Sequence, residues 1–242
     1  ELIKESLMSK KHLRWLLLAT VVAILAWNRY HPTAPTPASD ATAAVAATKA
    51  EPRKLGSIAF TPCTLAPEFG LQSIEAQCGS LQVPEDHAHP EGRKITLALA
   101  WLPAKGEAEP DPMLMLAGGP GQSALETFPG IAPAFADVRK KRNIVLVDQR
   151  GTGGSNKLSC KNNAGKNAVM DEDEDSLAGA TAFAARCVAE LSKKADLRFY
   201  TTTDAIQDLE AVRRAIGAEQ LNLMGISYGT RVAQQYAKRY PA

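Results

Sequence analysis

The sequence predicts an α/β fold, with a central, mostly parallel sheet and helices on both faces. Three observations point to it. Short, mainly apolar runs recur at 113–116, 143–147 and 221–224, the first continuously apolar, as expected of a strand buried on both faces. Glycine-rich turns and helix-period patterns alternate with these runs, the order of repeated βα units. The last run passes through Gly225-Ile226-Ser227-Tyr228-Gly229 straight into a helical pattern, Arg231 to Tyr240.

Composition sets the outer limits. The chain has 242 residues, 45% hydrophobic and 22% charged, which suits one good-sized globular domain plus a tail. Net charge is +2, and no basic patch with interleaved aromatics occurs, so a nucleic-acid partner is excluded.

The N-terminal segment, 1–30, carries Lys10, Lys11 and Arg14 ahead of an apolar run from Trp15 to Trp27. Thirteen helical residues span about 20 Å, short of a ~30 Å hydrocarbon core. A basic stretch before a short apolar stretch is the pattern of an export signal. No small-x-small cleavage site lies close to the run, so a cleaved signal and a retained membrane anchor both stay open. Either one places the rest in an extracytoplasmic compartment, a bacterial periplasm or the exterior. Residues 31–54 are rich in Ala, Thr and Pro. They lack the large apolar side chains a core needs and read as a linker. The globular domain is expected over 55–242.

Four cysteines are present: Cys63, Cys78, Cys160 and Cys187. None forms a C-x-x-C pair and no histidine stands at ligand spacing, so no metal site is expected. An even count behind an export signal favours disulfides. Local pairing, Cys63 with Cys78 and Cys160 with Cys187, is the expected arrangement, free buried thiols being the alternative.

Within the domain, Cys78 to Pro84 and Arg93 to Leu102 read as strands bounded by turns. His87 and His89 lie in the polar connection between them and read as solvated turn residues rather than bases. The run 113–116 leads into Gly118-Gly119-Pro120-Gly121-Gln122-Ser123. Glycine amides there can approach a substrate oxygen closely, the requirement for stabilising a developing oxyanion. A helix is expected over Ile131 to Lys140. The strand 143–147 ends in Asp148-Gln149-Arg150-Gly151-Thr152-Gly153-Gly154-Ser155. Its glycines match neither phosphate-binding spacing, so it reads as a structural loop in which Asp148 and Arg150 pair. Asp171 to Asp175 is a run of five acids, read as a solvated face at a helix start; a subsite for a substrate amine is the other reading. Ser176 to Leu191 has helical composition. A clear helix opens at Thr203 or Asp204, buries Ile206, Leu209, Val212 and Ile216, and stops at Gly217.

The final motif is the most informative. Strand, G-x-S-x-G and helix make the context of a nucleophile elbow. Gly225 and Gly229 let strand and helix close on each other because no Cβ intrudes. Ser227 then stands at a helix N-terminus, which favours negative charge.

Gly118-Gly119-Pro120-Gly121, Asp148-Gln149-Arg150-Gly151-Thr152-Gly153 and Gly225-Ile226-Ser227-Tyr228-Gly229-Thr230, in this order, resemble the proline iminopeptidases of the α/β-hydrolase family. Cys78-Gly79, Leu81-Gln82-Val83-Pro84 and the exported N-terminus are closer to the exported, tripeptidyl aminopeptidase-like branch. The resemblance runs from about Leu55 to Ala242. It implies Ser227 as nucleophile, the Tyr228 N–H as one oxyanion donor and a Gly118 or Gly119 N–H as the other. It also implies a peptide substrate, attack through an acyl-enzyme and no cofactor. The family loop usually begins with histidine, where this chain has Ala117; a backbone donor survives that change. In this fold the triad runs Ser, Asp, His along the chain, yet no Asp, Glu or His follows Ser227. The expectation is therefore the N-terminal part of a hydrolase, completed by a missing C-terminal half. An inert remnant that acts only by binding, and an esterase, are the alternatives.

Overall fold

The computed structural model describes residues 51–67, 72–161 and 176–241. The apolar N-terminal run, most of the linker and the acidic run 171–175 lie outside the described residues. Among the described residues, no helix is long and apolar enough to cross a membrane.

Seven strands form one sheet: β1 (Arg53–Leu55), β2 (Ile58–Leu65), β3 (Ile74–Pro84), β4 (Lys94–Leu102), β5 (Met113–Leu116), β6 (Ile144–Val147) and β7 (Asn222–Gly225). Their order is β1-β2-β3-β4-β6-β5-β7. Neighbours from β1 to β6 pair antiparallel, while β5 pairs parallel with both β6 and β7. The sheet is therefore mixed, with β2 and β4 running against the other five strands. The parallel part is the three apolar runs read from the sequence, with β7 at the edge. The antiparallel part begins with β1 and β2, which alternate weakly and gave little strand signal; β1 starts at Arg53, two residues before the expected domain boundary.

The apolar runs feed two cores because successive strand residues face opposite sides. Leu114, Leu116, Val145 and Val147 join Phe60, Leu97, Leu99 and Trp101 on one face. Met113, Met115, Ile144 and Leu146 join Ala100 and Leu102 on the other. The first face is covered by α4 (Thr202–Ala215) and α5 (Tyr228–Arg239), through Ile206, Leu209, Val212, Val232 and Tyr236. The second is covered by α1 (Ala124–Ile131), which contributes Ala124 and Phe128.

The expected helix over 131–140 is instead three pieces. α1 ends at Ile131, a 3₁₀ turn holds Ala132–Phe135, and α2 is the single turn Val138–Lys141. Pro129 and Pro133 lack the amides that would carry one helix through. α3 (Leu177–Leu191) falls in the segment of helical composition and is capped by Ser176, whose hydroxyl accepts from Gly179 N–H. α4 starts slightly earlier than read. Its cap is Thr201, which forms a reciprocal capping box with Asp204; Gly217, at φ +74°, follows its end.

Both expected disulfides are present. Cys63–Cys78 staples β2 to β3 with Cα atoms 5.7 Å apart. Cys160–Cys187 ties the segment after the 148–155 loop to α3 at 5.6 Å. Such bonds persist in oxidising compartments.

Glu210 locks α4 to α5. Its carboxylate accepts from Arg213 (2.8 Å), Arg214 (2.7 Å) and the Tyr236 hydroxyl (2.9 Å). The Arg213 hydrogen bond leads in holding its pKa down at about 2, against 4.5 ordinarily. A depressed carboxyl stabilises the fold fully above its unfolded pKa and loses that contribution as pH falls from about 4.5 through about 2. On the order of 2–3 kcal/mol is involved. Urea midpoints at pH 6 and pH 3 should therefore differ more in the wild type than in Glu210→Gln. Equal pH dependence in the two would remove Glu210 from the acid response.

Candidate active site

The turn after β7 has the geometry that the G-x-S-x-G motif anticipates. Ser227 adopts φ +50°, ψ −119°, a region costly for a residue with a Cβ. It is the N-cap residue of α5, so the helix N-terminus lies directly beyond it. Close packing holds the turn. A Cβ on Gly225 would come 2.5 Å from the Gly229 carbonyl oxygen, and one on Gly229 2.2 Å from the Leu116 oxygen. The Ile226 amide donates to that same Leu116 oxygen at 3.1 Å, joining the turn to the end of β5. Ser227 is exposed, and its hydroxyl has no hydrogen-bond partner among the described residues.

The loop after β5 comes to this serine. A Cβ on Gly118 would lie 3.1 Å from the Ser227 Cβ and 3.2 Å from the Ile226 oxygen. Gly119 and Gly121 take φ +100° and +107°, and the Gly119–Pro120 peptide is cis. Among the described residues, the amides of Gly118, Gly119 and Tyr228 donate to no other protein group. A serine hydroxyl beside free backbone N–H donors and a helix N-terminus can attack a carbonyl and hold the resulting oxyanion.

Asp148 and Arg150 support this arrangement separately; they do not pair, contrary to the sequence expectation. Asp148 is buried and accepts from Ser123 Oγ (2.7 Å), Leu125 N–H (3.1 Å) and Gly154 N–H (2.9 Å). Ser123 caps α1 by accepting from Glu126 N–H. The carboxylate thus fixes the residue at which the glycine loop ends. The S-x-x-E spacing of Ser123 and Glu126 signals this cap in the sequence, but Pro129 obscured the helix behind it.

Arg150 pairs instead with Asp208 of α4. Its Nε and Nη2 donate to the two carboxylate oxygens, both at 2.6 Å. Nη1 also donates to the carbonyls of Glu85 (2.7 Å) and Phe199 (2.5 Å), and Nη2 to that of Pro84 (3.2 Å). His87 joins this cluster, its Nε2 lying 2.9 Å from Asp208 and 3.0 Å from Arg150. It is largely buried, not the solvated turn residue expected; sequence spacing carries no sign of a partner 121 residues away. His89 is exposed and meets Asp86 at 2.6 Å.

Beside the elbow lies a cavity of about 260 Å³, walled among others by Pro120, Arg150, Leu158, Tyr200 and Tyr228. Arg150 is spent on its partners, and Gln149, Thr152 and Thr201 also line the cavity, so the wall mixes polar groups with aromatic and apolar ones. Tyr200 donates to Glu85 at 3.1 Å and also meets Asn156; burial pushes its hydroxyl up to about 12. Among the described residues, no group of three or more His, Cys, Asp or Glu could hold a metal ion.

The sheet order, the strained serine turn and the glycine loop against it define an α/β hydrolase. Residues 111–242, more than half of the chain, match the family profile described as the alpha/beta hydrolase fold, and the chain belongs to that family. It is similar to the serine protease Hip1 of Mycobacterium tuberculosis, with 30% identity over 204 residues, 79% of this chain and 39% of the relative. It is likewise similar to the tripeptidyl aminopeptidase of Streptomyces lividans, with 30% identity over 182 residues, 68% of this chain and 33% of the relative. A solved proline iminopeptidase of Mycobacterium smegmatis overlaps 67% of this chain and 40% of its own, at 19% identity and TM-score 0.39. The chain spans two-fifths or less of the length of these relatives.

Proposed function

We propose that this chain carries the nucleophile and oxyanion half of an exported serine peptidase of the aminopeptidase type. The observation that carries the reading is the approach of Gly118 to Ser227 across the elbow, which sets a hydroxyl and free amides on one point. In the reaction, Ser227 Oγ bonds to the carbonyl carbon of a peptide and its proton passes to a base. The oxygen of the tetrahedral intermediate is held by the N–H of Tyr228 and of Gly118 or Gly119. Expulsion of the amine, protonated by the conjugate acid, leaves an acyl-enzyme for water to cleave.

The base and its orienting acid come from polypeptide outside this chain, which covers 39% of the Hip1 relative. Both histidines among the described residues are engaged elsewhere, His87 with Asp208 and His89 with Asp86. The exposed edge strand β7, beside the elbow, is where a further strand would extend the sheet. Export rests on the two disulfides and the N-terminal basic–apolar pattern; whether the apolar run stays as an anchor is a separate choice that signal processing decides.

A fluorophosphonate probe tests the reading. Labelling is expected at Ser227 once the polypeptide that supplies the base is present, and Ser227→Ala should then lower it at least ~100-fold, the scale on which losing the nucleophile acts. Labelling that survives the substitution would place the reactive group elsewhere. A folded chain that never labels, even with the base-bearing polypeptide supplied, would favour the inert remnant.

A further inference from the structure

A second cavity, of about 250 Å³, lies at the opposite end of the sheet from the elbow. Its walls include Arg53 of β1, Glu75 and Gln77 of β3, and Lys105 and Arg139 beyond β4 and in α2. Three cationic side chains thus meet one carboxylate. Glu75, whose Oε1 accepts from Thr64 Oγ1 at 3.1 Å, offsets only one of the three positive charges. Among the described residues, none of Arg53, Lys105 and Arg139 has a carboxylate partner. The Arg53 guanidinium carbon lies over the Trp101 ring, 4.7 Å from its centroid, and its N–H groups have no hydrogen-bond partner among the described residues. Arg139 donates only its Nε, to the Pro103 carbonyl at 3.0 Å, and burial with no opposing charge lowers its pKa.

A separate observation indicates what is missing. The Gln77 Oε1 is buried with no hydrogen-bond partner. An orphaned buried acceptor is costly and calls for a donor. The ligand that suits this wall therefore brings negative oxygens for the cations and one hydroxyl for Gln77. We propose that this cavity is a binding site for a hydrogen-bearing oxyanion of the phosphate type, either inorganic phosphate or a phosphomonoester bound as its monoanion. Near neutral pH inorganic phosphate retains a P–O–H, whereas sulfate of the same size and shape has none. A site with a fixed acceptor separates the two, because sulfate would set an oxygen against the Gln77 oxygen. The site lies across β4, β6 and β5 from Ser227 in the sheet order, so it stands or falls independently of the peptidase reading.

Isothermal titration calorimetry of the chain with inorganic phosphate, and separately with sulfate, tests the proposal. Phosphate is expected to bind at least about tenfold more tightly than sulfate. Arg139→Gln should weaken phosphate about tenfold. Lys105→Gln, at an exposed side chain with no structural bond, should weaken it in the same direction even where Arg139→Gln perturbs folding. Gln77→Leu should bring the two anions level. Equal affinities in the wild type, no binding of phosphate, or binding unchanged by both cation substitutions would overturn it. Flotation with phosphatidylcholine vesicles containing phosphatidic acid separates the sources. Capture that phosphate competes away assigns a lipid headgroup, and phosphate binding without capture assigns a soluble ligand.

Discussion

Gly229→Ala is expected to cost more than about 3 kcal/mol of folding stability, well above an ordinary small-to-large change. The reason is the identity of the atoms in the way. The added methyl would stand 2.2 Å from the Leu116 carbonyl oxygen and 2.8 Å from that of Ala117. Both belong to the backbone at the end of β5, and neither can rotate aside as a side-chain tip would. Relief requires moving α5 off the sheet, which uncovers Val232 and Tyr236, both buried in the core. It also releases Ser227, whose φ of +50° persists only because its surroundings over-determine it. Thr230→Ala, one residue on, is the control. It removes a 2.7 Å hydrogen bond to the Ser227 carbonyl at an exposed site and should cost below about 1 kcal/mol. Urea midpoints of the two variants give the comparison. A Gly229→Ala loss as small as that of the control would mean that strand and helix separate cheaply, and that the elbow is not held by packing.

What could be read in the sequence follows from the range of each interaction. The elbow was legible because its parts are neighbours in the chain: an apolar run, two glycines four residues apart and a helix. β5 and β6 were legible because burial on both faces makes them apolar without interruption. Local disulfide pairing was legible for a similar reason, since each bond closes a short loop. The Asp148–Arg150 pair failed as an inference because proximity in sequence stood in for proximity in space. Side chains near the end of a strand follow separate routes, and these two serve different clients, the α1 cap and Asp208. His87 failed likewise: a polar turn looks solvated until an arginine and an aspartate from distant elements close over it. β1 and β2 were missed because their half-exposed pattern is weak and Pro62 interrupts it. What joins the glycine loop to Ser227 spans more than 100 residues, and the motifs imply the meeting without showing its geometry.

Arg150→Ala is expected to cost on the order of 3–5 kcal/mol, the range for removing one partner of a buried ion pair. The Arg150 side chain is 1% exposed and the Asp208 side chain 2%. Losing the guanidinium strands a carboxylate with His87 as its remaining neighbour and frees three carbonyl oxygens, those of Pro84, Glu85 and Phe199. Those carbonyls come from the end of β3 and the turn before α4, segments that the Glu85 carboxylate also joins by accepting from Asp196 N–H and the Tyr200 hydroxyl. Arg150→Lys should recover little. An ammonium keeps the charge but cannot reproduce the two-pronged bond to Asp208 while reaching the carbonyls. A double-mutant cycle separates charge from scaffold. If the penalty is mainly the stranded Asp208, adding Asp208→Asn to Arg150→Ala returns stability. If it is mainly the lost carbonyl contacts, the two losses add. The geometry favours a strong coupling, at least about 2 kcal/mol, because both short bonds at 2.6 Å run to Asp208. The cycle also bears on the site, since Arg150 and Tyr228 wall the same cavity. A stable double variant that regains fluorophosphonate labelling would show that Arg150 serves the serine through the scaffold, whereas stability without labelling would place the guanidinium itself in the service of the reaction.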